Sequence, residues 1–174
     1  MKIINIKVGY LECNCYILEI ENKVLIVDPG DEYLKIKKEL SNKEVLGILL
    51  THNHFDHVGA INEISNDYKV ELYSYDNLEE KKYNIGPFNF EVVFTPGHTK
   101  DSITFYFSKN DVMFTGDFLF YDTVGRCDLE GGNFNIMKES ITKIKNYNKS
   151  ITIYPGHGRN TTLEREIKFN PYFK

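Results

Sequence analysis

The sequence feature that most constrains this chain is the segment of residues 51–57, which reads Thr-His-Asn-His-Phe-Asp-His and directly follows the apolar run of residues 47–50. Neutral imidazole is a good ligand for zinc and iron, and a carboxylate adds charge and a contact for bound water. In an extended segment, His52 and His54 project to one side, and a turn after them lets Asp56 and His57 face a second centre. The spacing therefore predicts a site for two metal ions.

The other two of the five histidines in the chain support this interpretation. His98 and His157 each follow a Pro-Gly pair, which is a turn signal at the end of an apolar run. A further carboxylate, Asp117, closes the run Phe114-Thr115-Gly116. A single histidine after a turn is usually a surface residue. Because no histidine is left over for that role, the five together favour metal binding.

These residues resemble a known family in their order and spacing. The pattern His52-x-His54-x-Asp56-His57, followed by His98, Asp117 and His157, resembles the five metal-binding motifs of the metallo-β-lactamase fold. Six further motifs are similar to the small glyoxalase II-like (hydroxyacylglutathione hydrolase-like) branch of that fold: Asn14-Cys15-Tyr16, Val27-Asp28-Pro29-Gly30, Pro96-Gly97-His98-Thr99, Gly125-Arg126 with Asp128-Leu129, Gly131-Gly132, and Asn170-Pro171-Tyr172. The resemblance extends over nearly the whole chain.

The resemblance implies a role for each of these residues. The first metal ion would be held by His52, His54 and His98, the second by Asp56, His57 and His157, and Asp117 would bridge the two. Zinc is the expected metal, with iron or manganese as alternatives. A hydroxide shared by the two ions would be the nucleophile, and Asp56 would have the catalytic role of orienting it. Asp28 would lie under the metal loop and orient ligands, although a plain turn-capping role stays open.

The activity implied is hydrolysis of a thioester of the hydroxyacylglutathione type, a small-molecule substrate. A thiolate leaves with little protonation, which suits a site with no spare histidine as general acid. One alternative is an oxidoreductase like the persulfide dioxygenases, in which a single iron would be held by His52, His98 and Asp117. Others are a metallo-hydrolase acting on another ester or a lactam, and a non-catalytic metal-stabilised module, although a structural zinc needs only four ligands.

Apolar periodicity predicts the secondary structure in outline. Strands are expected at residues 3–8, 15–20, 24–27, 70–73, 88–94, 102–107, 112–114 and 151–154, and helices at residues 33–40, 60–65 and 133–147. Residues 75–84 are expected to be a surface connection. Periodicity indicates a mixed α/β chain, and the resemblance implies one domain over residues 1–174 with an αββα sandwich, in which two sheets pack face to face with helices outside.

Charge and composition narrow the possible partners and location. A formal net charge of −4 gives no reason to expect nucleic acid as a partner. We expect a cytoplasmic protein without a membrane partner, because no apolar run has spanning length and the N-terminus lacks the apolar core of a signal peptide. Full-length glyoxalase II carries a C-terminal helical extension that helps to grip glutathione, and this chain ends at Lys174. The acyl group and the thiol therefore stay unassigned.

The three cysteines fit a reducing compartment, because an odd number argues against a disulfide framework. Cys13 and Cys15 share one face of a strand and are expected to be small buried residues. Cys127 stands in the loop after Asp117, so we expect it close to the metal ions but not bound to them.

Overall fold

The computed structural model describes residues 1–174 and contains a first sheet of five strands. In chain order they are β1 (Lys2–Val8), β2 (Cys13–Ile20), β3 (Lys23–Val27), β4 (Glu44–Leu49) and β5 (Leu72–Tyr73). The first three strands are antiparallel neighbours, whereas β3, β4 and β5 run parallel. The parallel register pairs Val27 with Leu49, so the residues that follow these two strands meet at one edge of the sheet.

The second sheet has six strands: β6 (Lys82–Ile85), β7 (Phe88–Phe94), β8 (Ile103–Phe107), β9 (Val112–Gly116), β12 (Thr152–Pro155) and β13 (Thr161–Thr162). Their order across the sheet is β13-β12-β9-β8-β7-β6. Strands β9 and β12 are parallel, and their register pairs Gly116 with Pro155. Asp117 and His157 therefore leave the sheet at the same edge. A separate hairpin is formed by β10 (Leu119–Phe120) and β11 (Thr123–Val124).

Five α-helices complete the fold: α1 (Tyr33–Glu39), α2 (Phe55–Val58), α3 (Ile61–Tyr68), α4 (Phe134–Ile144) and α5 (Leu163–Phe169). Two 3-10 turns lie at Ser108–Asn110 and Pro171–Phe173. The N-terminus of α4 is capped by the Asn133 side chain, which accepts from the backbone N–H groups of Asn135 and Ile136. None of these helices combines the length and apolarity that crossing a bilayer requires.

The alternation of side chains along the strands separates the core into layers. In β2, Ile17 belongs to an apolar cluster shared with α1 and α3, while Tyr16 and Leu18 pack with the phenylalanines of the second sheet. A third cluster joins the outer face of the second sheet to α4 and α5. The order helix, sheet, sheet, helix confirms the αββα sandwich expected from the resemblance.

One local expectation was wrong. Residues 82–84, expected in a surface connection, belong to strand β6, which pairs with β7 at the edge of the sheet. Its side chains are only half-buried or exposed, so the sequence lacks the apolar alternation by which a strand is recognised. Helix α5 was not predicted either. It is short and begins after the Thr162 side chain, which accepts from Arg165 N–H.

Candidate metal centre

Asp28 connects the ends of β3 and β4 to the histidine-rich loop. Its backbone is left-handed, with φ of 50°, and its carboxylate is buried. Oδ1 accepts from the backbone N–H of Thr51 at 2.8 Å, and Oδ2 accepts from the Thr51 hydroxyl at 2.7 Å. The same Oδ2 lies 3.0 Å from His57 Nδ1. One carboxylate therefore contacts both ends of the loop that carries the imidazoles.

Four of the five imidazoles have a hydrogen-bond acceptor at Nδ1. These acceptors are Thr51 Oγ1 for His52 at 3.1 Å, Asp28 Oδ2 for His57 at 3.0 Å, Arg126 O for His98 at 2.7 Å and Leu11 O for His157 at 3.0 Å. The Thr51 hydroxyl gives its own proton to Asp28, so it can accept from His52. When Nδ1 carries the proton, Nε2 presents a lone pair, which is the tautomer a metal ligand needs.

The first group of ligand atoms forms where His52, His54 and His98 converge. His54 Nδ1 lies 3.2 Å from His52 Nε2 and 2.9 Å from His98 Nε2. Asp117 Oδ2 is 3.6 Å from His98 Nε2. One ligand atom from each of these four residues lies within 4.8 Å of the other three, a separation that a single ion can span.

The second group surrounds the other oxygen of the same carboxylate. Asp117 Oδ1 lies 3.4 Å from His57 Nε2 and 3.7 Å from His157 Nε2. Asp56 Oδ2 lies 3.1 Å from His157 Nε2 and 3.8 Å from His57 Nε2. All seven residues expected to bind metal are thus brought to one place, with Asp117 between two sets of nitrogens.

The atoms of this second group fit a bound cation. His57 Nε2 and Asp117 Oδ1 are both buried and have no hydrogen-bond partner, and such atoms are rare in folded proteins. Imidazole nitrogens and carboxylate oxygens together suit zinc, iron or manganese. A divalent ion between the two atoms would satisfy both.

The charges in the two groups balance one another when no ion is bound. Burial lowers the pKa of His52 well below its usual value, and the neighbouring charge of His57 lowers it further. Burial also acts against protonation of His57, but the Asp28 and Asp117 carboxylates outweigh it and raise the His57 pKa well above normal. The pKa of Asp117 is lowered, because contacts with His57 and other imidazoles outweigh its burial. The negative charge of Asp117 is therefore already balanced by a positive one.

Close backbone approaches make room for these side chains at two glycines. A Cβ on Gly156 would lie 2.3 Å from Asp117 Oδ1 and 2.7 Å from His57 Cε1. A Cβ on Gly125 would lie 1.9 Å from the backbone oxygen of Asp117. Any larger residue at either position would displace the central carboxylate or its backbone.

Two contacts of the centre were not anticipated from the sequence. Thr51 links Asp28 to His52, as described above. Asn14 donates through Nδ2 to the backbone oxygens of Pro155 and Gly158, both at 3.0 Å, and so holds the loop that carries His157. Both side chains are buried. In the sequence, Asn14 stands between two cysteines and Thr51 directly follows an apolar run, and a polar residue at such a position was the available signal.

The cysteines occupy different environments. Cys13 and Cys15 are buried, as expected, but Cys13 Sγ also lies 3.6 Å from His57 Nδ1. Burial raises the pKa of the Cys13 thiol to about 11, so it is protonated near neutral pH. The Cys13 thiol contacts the Nδ1 side of the His57 ring, whereas Asp56 lies on the Nε2 side. Cys127 is half-buried and donates to Gly125 O at 3.4 Å.

Two cavities flank the centre. One of about 580 Å³ reaches His54 and is lined mainly by polar residues, among them Lys100, Asp101 and Glu130. The other, of about 180 Å³, reaches Asp56 and includes Tyr10, Leu11 and Phe55, whose side chains are exposed.

Comparison with known proteins places this arrangement in a family. The profile of the Metallo-beta-lactamase superfamily matches residues 8–86 and 75–157. The chain belongs to the metallo-β-lactamase superfamily.

Two superfamily relatives are similar over nearly their whole length. The probable metallo-hydrolase YqgX of Bacillus subtilis (strain 168) is 32% identical, with 99% of this chain and 97% of YqgX covered. The hydroxyacylglutathione hydrolase GloC of Haemophilus influenzae (strain Rd) is also 32% identical, with 99% and 98% covered.

Solved structures of the superfamily agree with the fold. The B3 metallo-beta-lactamase BLEG-1 superposes with a TM-score of 0.94 at 30% identity, covering 99% of both chains. A di-iron-bound form of TTHA1623 superposes with a TM-score of 0.89 at 30% identity, covering 97% of this chain and 99% of that one.

Proposed function

We propose that this chain is a hydrolase that uses two divalent metal ions, and that its substrate is a thioester of the hydroxyacylglutathione type. The observation that carries the proposal is the position of Asp117, whose two carboxylate oxygens face different groups of imidazole nitrogens. Seven potential ligands also exceed what one four- or five-coordinate ion can use. The similarity to GloC supports the choice of thioester.

In this proposal the first ion would be held by His52, His54 and His98 and the second by Asp56, His57 and His157, and Asp117 would serve both groups. Zinc is the expected metal, with iron or manganese as alternatives. When bound, such ions would supply the positive charge that polarises a carbonyl group and makes a water molecule acidic enough to be a nucleophile near neutral pH. Asp28 positions His57 directly and His52 through Thr51.

Asp56 is the residue we assign to orienting the attacking water. Although burial acts in the opposite direction, the contact with His157 and the charge of His57 lower the pKa of Asp56, so the group is an ionised acceptor at neutral pH. Each imidazole in the centre is used as a ligand, so none remains to protonate a leaving group. A thiolate needs little protonation to leave, which is the chemical reason for preferring a thioester to an amide.

A second candidate is hydrolysis of a lactam. The similarity to BLEG-1, described as a B3 metallo-beta-lactamase, favours it. Ring strain assists the opening of a lactam, so the same water-activating centre would serve. Whether the protein hydrolyses a thioester or a lactam would depend on which of the two substrates the flanking cavities accept.

The proposal is tested on protein purified without added metal and then loaded with zinc. We expect two zinc equivalents per chain and hydrolysis of a 2-hydroxyacyl glutathione thioester, which is measured by the free thiol that it releases. Asp117→Ala should lose the binding of two zinc ions and the hydrolytic activity. Asp76→Ala, which changes an exposed aspartate, should keep the binding and the activity. The same samples are assayed with a chromogenic β-lactam, and for oxygen uptake with glutathione persulfide after iron loading.

One metal equivalent at saturation would refute the two-ion centre. Hydrolysis of the β-lactam without hydrolysis of the thioester would replace the proposed substrate with the second candidate. Oxygen uptake by the iron-loaded protein would instead indicate the oxidoreductase chemistry of a single iron held by His52, His98 and Asp117.

A further inference from the structure

We propose that Asp101 is a positioning residue for the first group of metal-binding imidazoles. Its Oδ2 accepts a hydrogen bond of 3.0 Å from the backbone N–H of Asn53. Asn53 is the residue between His52 and His54, so the bond holds the peptide that joins two of the ligands. The inference rests on the metal-binding part of the proposed function and not on the identity of the substrate.

The hydrogen bond extends a line of contacts between two segments of the chain. Residues 52–54 lie outside any helix or strand. Just before them, Thr51 O accepts at 2.9 Å from the N–H of Ile103, the first residue of β8. Two residues further along the loop, the Asp101 carboxylate accepts from Asn53 N–H. A side chain thus provides the bond where the two backbones no longer pair.

Asp101 belongs to the same tight turn as His98, the third ligand of the group. This turn is fixed internally, because Gly97 N–H donates to Thr99 O at 3.0 Å and Thr99 N–H donates to Ser102 Oγ at 3.3 Å. The bond to Asn53 therefore ties the turn that carries His98 to the loop that carries the other two imidazoles.

His54 depends most on this bond. The other four imidazoles of the centre have an acceptor at Nδ1 that sets the orientation of the ring. His54 instead turns Nδ1 towards His52 Nε2 and His98 Nε2, so its position is set mainly by its backbone. Metal sites tolerate displacements of only about 0.5 Å, and a looser loop would also lose more entropy when an ion binds.

The carboxylate itself suggests another role, that of contacting a cationic part of a substrate in the cavity beside His54. Asp101→Asn separates the two roles, because the amide oxygen can still accept from Asn53 N–H while the charge is lost. Asp101→Leu removes both the acceptor and the charge. Because Asp101 is only half-buried, both variants are expected to fold.

The experiment measures zinc affinity by competition with a chelator, together with amide exchange of Asn53 in the metal-free protein by NMR. In Asp101→Leu we expect about a tenfold loss of affinity for one zinc equivalent, no change for the other, and faster exchange of the Asn53 amide. Asp101→Asn should keep wild-type affinity and exchange. Asp76→Leu, which replaces an exposed aspartate with the same apolar side chain, is the matched control.

Wild-type zinc affinity in Asp101→Leu would overturn the inference, and so would an equal loss in Asp101→Asn. If Asp101→Leu does not fold, Asp101→Ala removes the same acceptor with a smaller side chain and gives the same test. A protein that binds two zinc ions but hydrolyses no thioester would refute the proposed substrate, and it would leave this measurement unaffected.

Discussion

Replacing Gly156 with alanine should disable the metal centre while leaving the fold intact. The new Cβ would lie 2.3 Å from Asp117 Oδ1, and ordinary contact begins near 3.4 Å, so the carboxylate must move by about 1 Å. The backbone of Gly156 cannot retreat easily, because its N–H donates to Gly116 O at 2.8 Å and its oxygen accepts from Asn14 N–H at 2.7 Å. The displacement therefore falls on the side chain that faces both ligand groups.

The expected effect on metal binding is larger than the effect on stability. A movement of about 1 Å is twice the roughly 0.5 Å that such sites tolerate, so affinity for at least one ion should fall by more than about tenfold. Overpacking of this kind costs about 1–3 kcal/mol of folding free energy. Gly158→Ala is the matched control. Its φ is 76° and a Cβ there has no atom within 4 Å, so it costs about 1–2 kcal/mol in backbone strain without touching a ligand.

The two variants are compared by metal content after loading with zinc and by thermal unfolding of the metal-free proteins. We expect similar decreases in melting temperature for both, but fewer bound ions in Gly156→Ala only. Two zinc equivalents of wild-type affinity in Gly156→Ala would refute the reasoning, because the central carboxylate would then not need its present position.

Three further predictions address individual side chains. His98→Ala should abolish hydrolysis and lower the melting temperature of the zinc-loaded protein, because ion binding stabilises the fold; an unchanged melting temperature would contradict that coupling. Cys127→Ser should keep both zinc equivalents and most of the activity, since the thiol lies outside both ligand groups; loss of one equivalent in metal analysis would make Cys127 a ligand. Because the pKa of His57 is raised, this imidazole is protonated in the metal-free protein at neutral pH. Zinc must then displace a proton, so it should bind more tightly as pH rises. Calorimetry in buffers of different ionisation enthalpy should show that proton release, and its absence would refute the assigned charge.

The fold was predictable where side-chain periodicity is strong. The apolar run in β2 and the apolar stripe of α4 predict a strand and an amphipathic helix, and the structure confirms both elements. Strand β6 could not be recognised, because an edge strand with half-exposed side chains carries no apolar alternation. Its strand conformation comes from pairing with β7, which is a contact with another part of the chain.

The sequence by itself determined which residues were available to bind metal. Five histidines in motifs with two aspartates limited the chemistry, because few other functions use that set at that spacing. The family resemblance implied that Asp28 orients ligands; its carboxylate lies 2.7 Å from the Thr51 hydroxyl and 3.0 Å from His57 Nδ1, and the orienting role stays a prediction.

The tertiary structure decided how those residues face one another. Parallel pairing of β3 with β4 and of β9 with β12 brings four strand ends together, although the residues concerned are far apart in the chain. Only because these strand ends lie close together do the two oxygens of Asp117 face different groups of imidazole nitrogens. The bond from Asn53 to Asp101 spans 48 positions and has no local sequence signal, because a side chain bonded to a distant peptide looks like any other half-exposed aspartate. Spacing along the chain selects ligands, whereas distances across the sheets determine the geometry that a metal ion requires.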